Sequence, residues 1–331
     1  MPPSVKRLLA LAAVMFLGGA ILPHAPRAGA AASYPLRPVR MIVPYPSGGP
    51  LDIIGRLLTE KLSERLGQSV VLDNRAGANG IIGTDIVARS NPDGYTMLLT
   101  TGSHAINAGL YRNLPYNSLR DFAPITQLAR SHGLVLVATL ALPVHSIQDL
   151  IALAKARPGK LTYASGGIGT INHLTTELLK STTGIDVLHV PYKGGGPALT
   201  DVIGGQIDLM IPSATQVAPF IKQGRVRALA ISGPQRSPVL PDLPTFKEAG
   251  IPGIEITGWN GLWFPARTPA ERVRRMQGDA ASMMASPDIK QRAHEMGYIP
   301  VASTPEEFGK FIEREITLHA RIAKQAGIEP Q

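Results

Sequence analysis

Three times in this chain an apolar, strand-like run ends in a cluster of glycines and passes directly into a segment with helical periodicity. The run 39–44 meets Ser47-Gly48-Gly49 and a helical pattern over 50–66. The run 161–164 meets "SGGIGT", and Leu174, Leu178 and Leu179 then repeat at helical spacing over 172–182. The run 187–192 meets Lys193-Gly194-Gly195-Gly196 and a short pattern over 197–203. A strand feeding a helix through a tight turn is the unit of an α/β fold with mostly parallel sheets. It also leaves backbone N–H groups aimed outward at each helix start, a ready place for an anion. Further strands are expected at 70–73, 95–100, 134–139, 207–211, 226–232 and 259–264. Further helices are expected after Gly77-Ala78-Asn79-Gly80 as far as 89, and over 147–156, 269–285 and 305–326. The first two glycine turns echo each other, which suggests two α/β halves that each present a glycine-rich helix start.

With 331 residues, 44% of them hydrophobic, the chain can bury the cores of two ordinary domains. Its start is of another physical class. Lys6 and Arg7 precede the apolar run 8–22, and Ala28-Gly29-Ala30 or Ala30-Ala31-Ala32 fits a small-residue cleavage site. That pattern is a secretory signal peptide over 1–32. The run is shorter than the roughly 20 residues of a spanning helix. Without Lys6, Arg7 and Arg27, 30 basic residues face 24 acidic ones. They are scattered, and aromatic residues make up only 5%, so the footprint of a nucleic-acid binder is missing. A mild positive excess suits capture of small anions. There is no cysteine, which excludes disulfides and thiolate metal sites.

The glycine turns fit no nucleotide motif. A P-loop needs Lys and Ser or Thr after its last glycine, and Ser47-Gly48-Gly49-Pro50-Leu51-Asp52 offers an acid there. A dinucleotide turn needs a third glycine where Asn172 stands, and an acid where Lys193 ends the next strand. Neither Ser103 nor Ser165 has the G-x-S-x-G frame of a nucleophile elbow, and Ser165 reads as a turn or cap hydroxyl. The histidines, among them His104, His132, His173 and His189, show no metal-binding spacing, so no metal or cofactor is expected. His173, in the first turn of its helix, is either structural or a ligand-facing donor. Asp52 reads as a first-turn acid that orients its loop. Lys193 is either a surface lysine or a second attractor of anions. A small carboxylate fits all three turns, because amides and hydroxyls can hold its oxygens without metal or nucleophile.

The chain resembles a known family at "YPLRPVRMIVPYPSGGPLDIIGR", "NRAGANGIIGTDIVARSNPDGYTMLL", "LPYNSLRDFAPI", "YASGGIGTINHL", "HVPYKGGGPALTDVIGGQIDLM", "LPDLPTFKEAG" and "GWNGLWFPARTP". That succession is similar to the Bug (TctC-like) receptors, the extracytoplasmic solute-binding proteins of tripartite tricarboxylate transporters. The resemblance implies a two-lobed periplasmic-binding-protein fold (type II-like) with an interlobe cleft. Lobe 1 would be 33–131 plus 258–331, and lobe 2 would be 132–257. It implies a cleft that holds a carboxylate with Tyr45, Ser47, Gly48 and Gly49, and with Ser165, Gly166, Gly167, Gly169, Thr170 and His173. Thr101, Gly102 and Ser103, Asp52, and Lys193 with Gly194 complete the expected set. The implied function is a monomeric, non-enzymatic periplasmic receptor. It would deliver a di- or tricarboxylate, an aromatic acid or an acidic amino acid to a membrane permease. The alternative is a secreted hydrolase acting on a small carboxylate ester.

Overall fold

The computed structural model describes residues 34–328. The expected signal peptide lies outside them. None of the described helices is long and apolar enough to cross a membrane. From Arg37 onward the chain forms one compact unit.

That unit contains two sheets. Strands β1 (Val39–Val43), β2 (Val70–Asn74), β3 (Thr96–Thr101), β4 (Phe122–Ser131), β10 (Trp259–Pro265) and β11 (Tyr298–Pro300) form the first, in the order β11-β4-β10-β3-β1-β2. Strands β5 (Val135–Ala138), β6 (Thr162–Ser165), β7 (Leu188–Pro191), β8 (Leu209–Met210) and β9 (Arg227–Ile231) form the second, in the order β7-β6-β8-β5-β9. Helices cover both faces of each. In β1, Met41 and Val43 enter one core cluster while Ile42 enters the other. In β5, Val135 and Val137 face one cluster and Leu136 and Ala138 the opposite one. Burial on both faces is why these strands read as continuous apolar runs.

The sheets are mixed rather than mostly parallel. The pairs β1–β2, β1–β3, β6–β7 and β6–β8 are parallel. However, β10 runs antiparallel to β3 and β4, β11 to β4, and β5 to β8 and β9. Parallel pairing needs a crossover connection, usually a helix. Between β4 and β5, and between β9 and β10, the chain passes from one sheet to the other with no helix in between. The two passages touch backbone to backbone. A Cβ built on Gly133 would lie 2.5 Å from the Gly233 nitrogen, and one on Gly233 would lie 1.9 Å from the His132 carbonyl oxygen.

Local chemistry explains the helices that position the site. Helix α1 (Pro50–Leu66) has proline at its first turn and Gly67 at φ 65° as its left-handed stop. Its Leu51, Leu58, Leu62 and Leu66 form the buried stripe. Helix α5 (Ile171–Thr183) ends likewise at Gly184, φ 69°. The last helix, α10 (Pro305–Gln325), opens with a Thr304–Glu307 capping box. Its Phe308 and Ile312 pack with Trp259 and Trp263 of β10, whereas Ile322 and Ala323 join the second sheet's core. Helices α2 (Ile81–Ala88), α4 (Ile147–Ala156), α6 (Gly195–Ile203) and α8 (Ala270–Ala285) fall where periodicity places them. Helices α3 (Ser103–Leu110), α7 (Ala214–Lys222) and α9 (Pro287–Glu295), with strands β4 and β11, were not foreseen.

Candidate functional site

A cavity of ≈ 320 Å³ lies where the N-terminal ends of α3, α5 and α7 meet the chain passages between the sheets. On the first-sheet side, Tyr45 follows β1, Thr101 ends β3, and Ser103 starts α3. The Tyr45 hydroxyl lies 3.0 Å from Thr101 Oγ1 and is also hydrogen-bonded to Ser103 Oγ, and the last two are 3.2 Å apart. Asn79 joins this wall with a left-handed backbone, φ 50°. It donates to Asn107 Oδ1 at 2.9 Å, and Asn107 Nδ2 donates to the Asn79 carbonyl at 3.1 Å. On the second-sheet side stand Gly169, Thr170, Ile171 and Asn172 at the start of α5, with Ser213 and Gln216 at the start of α7. Ser131, Leu134, Gly258, Trp259 and Tyr298 line the cavity beside the passages, and Ile106 adds an apolar surface from α3.

The start of α5 is open, whereas at α3 the Ser103 amide donates to Thr101 Oγ1 at 3.4 Å and the Ala105 amide to the Gly102 carbonyl at 3.0 Å. Neither Gly102 at α3 nor Thr170 at α5 makes a side-chain cap, whereas Ser213 caps α7 by accepting from the Gln216 amide at 3.3 Å. An uncapped helix start presents unpaired amides and partial positive charge. The open α5 start and the partly satisfied α3 start therefore lie at a cavity whose described lining consists of neutral side chains alone. This arrangement stabilises an anion without a full positive charge beside it. Replacing Tyr45 with Phe removes the hydroxyl that ties Thr101 to Ser103. The expected result is acid binding weakened roughly 10- to 100-fold, the cost of about 1–3 kcal/mol for a bond to a charged ligand or its organiser. Calorimetry on the two proteins checks it.

Of the residues expected from sequence, Tyr45, Thr101, Gly102, Ser103, Gly169 and Thr170 line the cavity. The others lie outside that lining and do different work. Asp52, only 2% exposed, accepts from the Gly48 amide and from Arg56 Nε, each at 2.9 Å. That amide, the leading cause, holds the Asp52 carboxyl below the usual carboxylate range against the effect of burial. The Gly48 amide is thus already occupied. Ser47 and Gly48 are exposed, and Gly49 is half-buried beside them. Ser165 is fully buried; its Oγ lies 2.7 Å from His189 Nε2 and accepts from the Gly167 amide at 3.1 Å. Ser165 is thus engaged inside its turn and is not presented to the cavity. Gly166 owes its lack of a side chain to a close approach, since its Cβ would sit 3.2 Å from the Gly195 nitrogen, beside Gly194. Lys193 is exposed.

His173 is a buried prop. Its Nδ1 accepts from the Gly169 amide at 3.1 Å, and its ring stacks on His189 with centroids 4.1 Å apart. Burial holds both imidazoles toward the neutral form, His189 down to about 4, and His173 must be unprotonated at Nδ1 to accept that bond. The loop's amides at Gly167, Gly169 and Thr170 are all spent internally. Its glycines shape the turn, and the open amides belong to the helix start beyond it. Thr170 donates its own hydroxyl to the Gly167 carbonyl at 2.8 Å.

His104, beside Ser103 in α3, ties this scaffold to pH. It is 1% exposed, bonds the Ser118 carbonyl through Nε2 at 2.9 Å, and is pushed by burial from 6.5 down to about 4. A depressed histidine pKa means that the unfolded chain takes up a proton the folded one refuses. Its contribution is fully present above pH 6.5 and is lost as pH falls toward 4. At about 1.4 kcal/mol per unit, His104 alone accounts for roughly 3 kcal/mol across that window. The melting temperature should be flat above neutrality and fall between these limits. His104→Gln should make the fall shallower, with the part that remains belonging to His189 and His173.

The fold and this cavity define the class of two-sheet α/β binding proteins. Residues 54–328 match the family described as tripartite tricarboxylate transporter family receptor. The chain belongs to that family, the Bug receptors, whose members are periplasmic solute-binding proteins. Protein BugT of Bordetella pertussis is 37% identical over 297 residues, 89% of this chain and 91% of BugT. Among solved structures, R. palustris Rpa4515 with adipate is 38% identical with a TM-score of 0.82, covering 90% of this chain and all of that one. MatC from Rhodopseudomonas palustris with bound malate is 29% identical with a TM-score of 0.77, covering 87% of this chain and 99% of MatC.

Proposed function

We propose that this protein is a periplasmic receptor that captures a small organic carboxylate in the ≈ 320 Å³ cavity and delivers it to a membrane permease of the tripartite type. Lobe 1 comprises 33–131 with 258–331, lobe 2 comprises 132–257, and the ligand sits between them as a monomeric receptor closes. The observation that supports this reading most is the convergence of the open α5 start and the α3 start on a cavity that also holds the Tyr45–Thr101–Ser103 hydroxyl cluster. A helix end contributes about 0.3–1 kcal/mol, up to ~2 when partly buried. Micromolar binding needs about 8 kcal/mol, so both ends and the hydroxyls must act together. On this reading the ligand is held by the hydroxyls of Tyr45, Thr101 and Ser103 and by the open α5 start at Ile171 and Asn172, joined by Asn79 and Trp259, while Gly102, Gly169 and Thr170 shape the wall. Asp52, Ser165, Gly166, Gly167, His173 and Gly194 hold the loops, and the protein releases its ligand unchanged. The adipate and malate of the two related structures are suitable probes.

Native mass spectrometry of protein purified from its own periplasm tests this. The expected spectrum carries one organic acid per chain, displaced by excess adipate or another acid of the same class. Protein that arrives empty, and that neither adipate nor malate nor any acid of a broad panel binds, would refute it.

A further inference from the structure

We infer that the crossing of the two chain passages holds a second anion site, separate from the ≈ 320 Å³ cavity, which takes a small inorganic oxyanion such as sulfate or phosphate. Arg130 of β4 pairs with Ile299 of β11, and Ser131 pairs with Tyr298. Partners across a ladder share a face, and neighbours along a strand alternate. Ser131 and Tyr298 line the ≈ 320 Å³ cavity, so Arg130 and Ile299 turn to the other face. There they border a second cavity, of ≈ 90 Å³. Its other walls are His132, on the passage from β4 to β5, and Pro234, Gln235 and Arg236, on the passage from β9 to β10. Ser131, at the rim, borders both cavities.

Three side chains of this wall have donors to spare. The Arg130 guanidinium makes no hydrogen bond or ion pair with any described residue. Arg236 gives Nε to Glu248 at 3.0 Å and Nη1 to the Pro241 carbonyl at 3.4 Å, which leaves Nη2. His132 Nε2 is buried with no hydrogen-bond partner, a condition that buried polar atoms seldom meet in a native fold. Burial, with His294 and Arg130 nearby, holds this ring toward its neutral form, one tautomer of which donates from Nε2. No Asp or Glu lines the cavity. Glu248 offsets the charge of Arg236, and that of Arg130 remains in surplus. An oxyanion accepts several charge-assisted N–H bonds at once, and the guanidinium fork matches its oxygens in pairs. A space of ≈ 90 Å³, against a share of ~30 Å³ for one water, suits a five-atom ion better than a dicarboxylate chain. Such an ion would bridge the two passages, which already touch at Gly133 and Gly233.

NMR of the wild-type protein tests the site, with sodium sulfate and then inorganic phosphate titrated into chloride buffer at constant ionic strength. Saturable shifts are expected at the His132 and Gln235 amides and at the Arg130 Nε–H, alike for both ions. The expected Kd is about 1 mM or tighter, the level that two or three bonds to a charged group reach. Chloride alone should give no saturable shift there, because screening has no stoichiometry. Arg130→Gln, at an exposed position, should weaken sulfate at least about tenfold while adipate binds as it does to the wild type. Saturating adipate should leave the sulfate shifts in place. Sulfate that shifts nothing at the crossing, that binds Arg130→Gln as well as the wild type, or that adipate displaces from these residues would overturn the inference and leave the carboxylate reading standing.

Discussion

Gly169→Val abolishes acid binding while most of the chain stays folded. Gly169 sits at φ +75°, in the left-handed region, and a Cβ there would approach Leu110 Cδ1 of α3 to 2.8 Å. A β-branched residue loses about 1–2 kcal/mol from the backbone angle alone. It must also displace the terminal methyl of Leu110 from the gap between the turn and α3. The Gly169 amide then leaves His173 Nδ1, and a buried acceptor without its donor costs about 1–3 kcal/mol more. Together these come to about 2–5 kcal/mol, roughly 30- to 5,000-fold if expressed in binding. Gly48→Ala provides the contrast. Gly48 lies outside the cavity lining, and its Cβ would meet nothing within 4 Å, although its φ is +79°. Its effect on affinity should stay within about tenfold, the cost of an unfavourable backbone angle. Titrations with adipate and thermal melts of both variants separate lost binding from lost fold.

Gly233→Ala severely destabilises the fold. The added carbon would lie 1.9 Å from the His132 carbonyl oxygen and 3.1 Å from that of Gln235. Both obstacles are backbone, so no rotamer change relieves the contact. His132 belongs to the passage from β4 to β5, and Gly233 follows β9, so separating them disturbs both sheets. A loss above about 4 kcal/mol is expected, beyond the range of ordinary substitutions. Gly278→Ala, in the middle of α8 with nothing within 4 Å of its Cβ, should stabilise by about 0.5–1 kcal/mol. Urea denaturation of the two variants reports both signs.

The strands that sequence reveals are those buried on both faces, such as β1 and β3, whose apolar runs have no polar competitor. Helices with strong punctuation are equally legible: α1 has Pro50 and Gly67 at its ends, and α4 has the Ser146–Asp149 capping box. The missed elements each carry a contrary local signal. Strand β4 contains Pro124, a residue that usually marks an edge, yet β4 lies inside its sheet between β10 and β11. Helix α7 holds Pro219 in its interior, and α3 is eight residues long with Gly109 near its end. Missing α3, α7 and β11 hid Ile106, Gln216 and Tyr298. Missing β4, with its passage to β5, left Ser131 without a place at the site.

The same limit governs the candidate site. Glycine turns mark where a chain bends sharply, and sequence does not distinguish a glycine that meets a ligand from one that meets another loop. Gly166 against Gly195, and Gly133 against Gly233, are of the second kind. His173 and Asp52 stand beside helix starts as ligand-binding residues do, but each accepts a loop amide instead. Asn79 was visible in "GANG" as a turn residue, and its left-handed φ is what asparagine tolerates. Nothing local in the sequence links Tyr45 to Thr101 and Ser103, 56 and 58 residues away. Only the parallel pairing of β1 with β3 brings them together.

Backbone amide shifts measured by TROSY NMR during an adipate titration test most directly whether an acid is held by the starts of α3 and α5. Saturable shifts should concentrate at Ser103, His104, Ile171 and Asn172, with the Trp259 indole N–H, while the Gly48 and Lys193 amides stay nearly still. In Tyr45→Phe the same signals should move only at higher adipate concentrations. Saturation that shifts the Gly48, Gly167 and Gly194 amides and leaves the two helix starts unmoved would contradict the account.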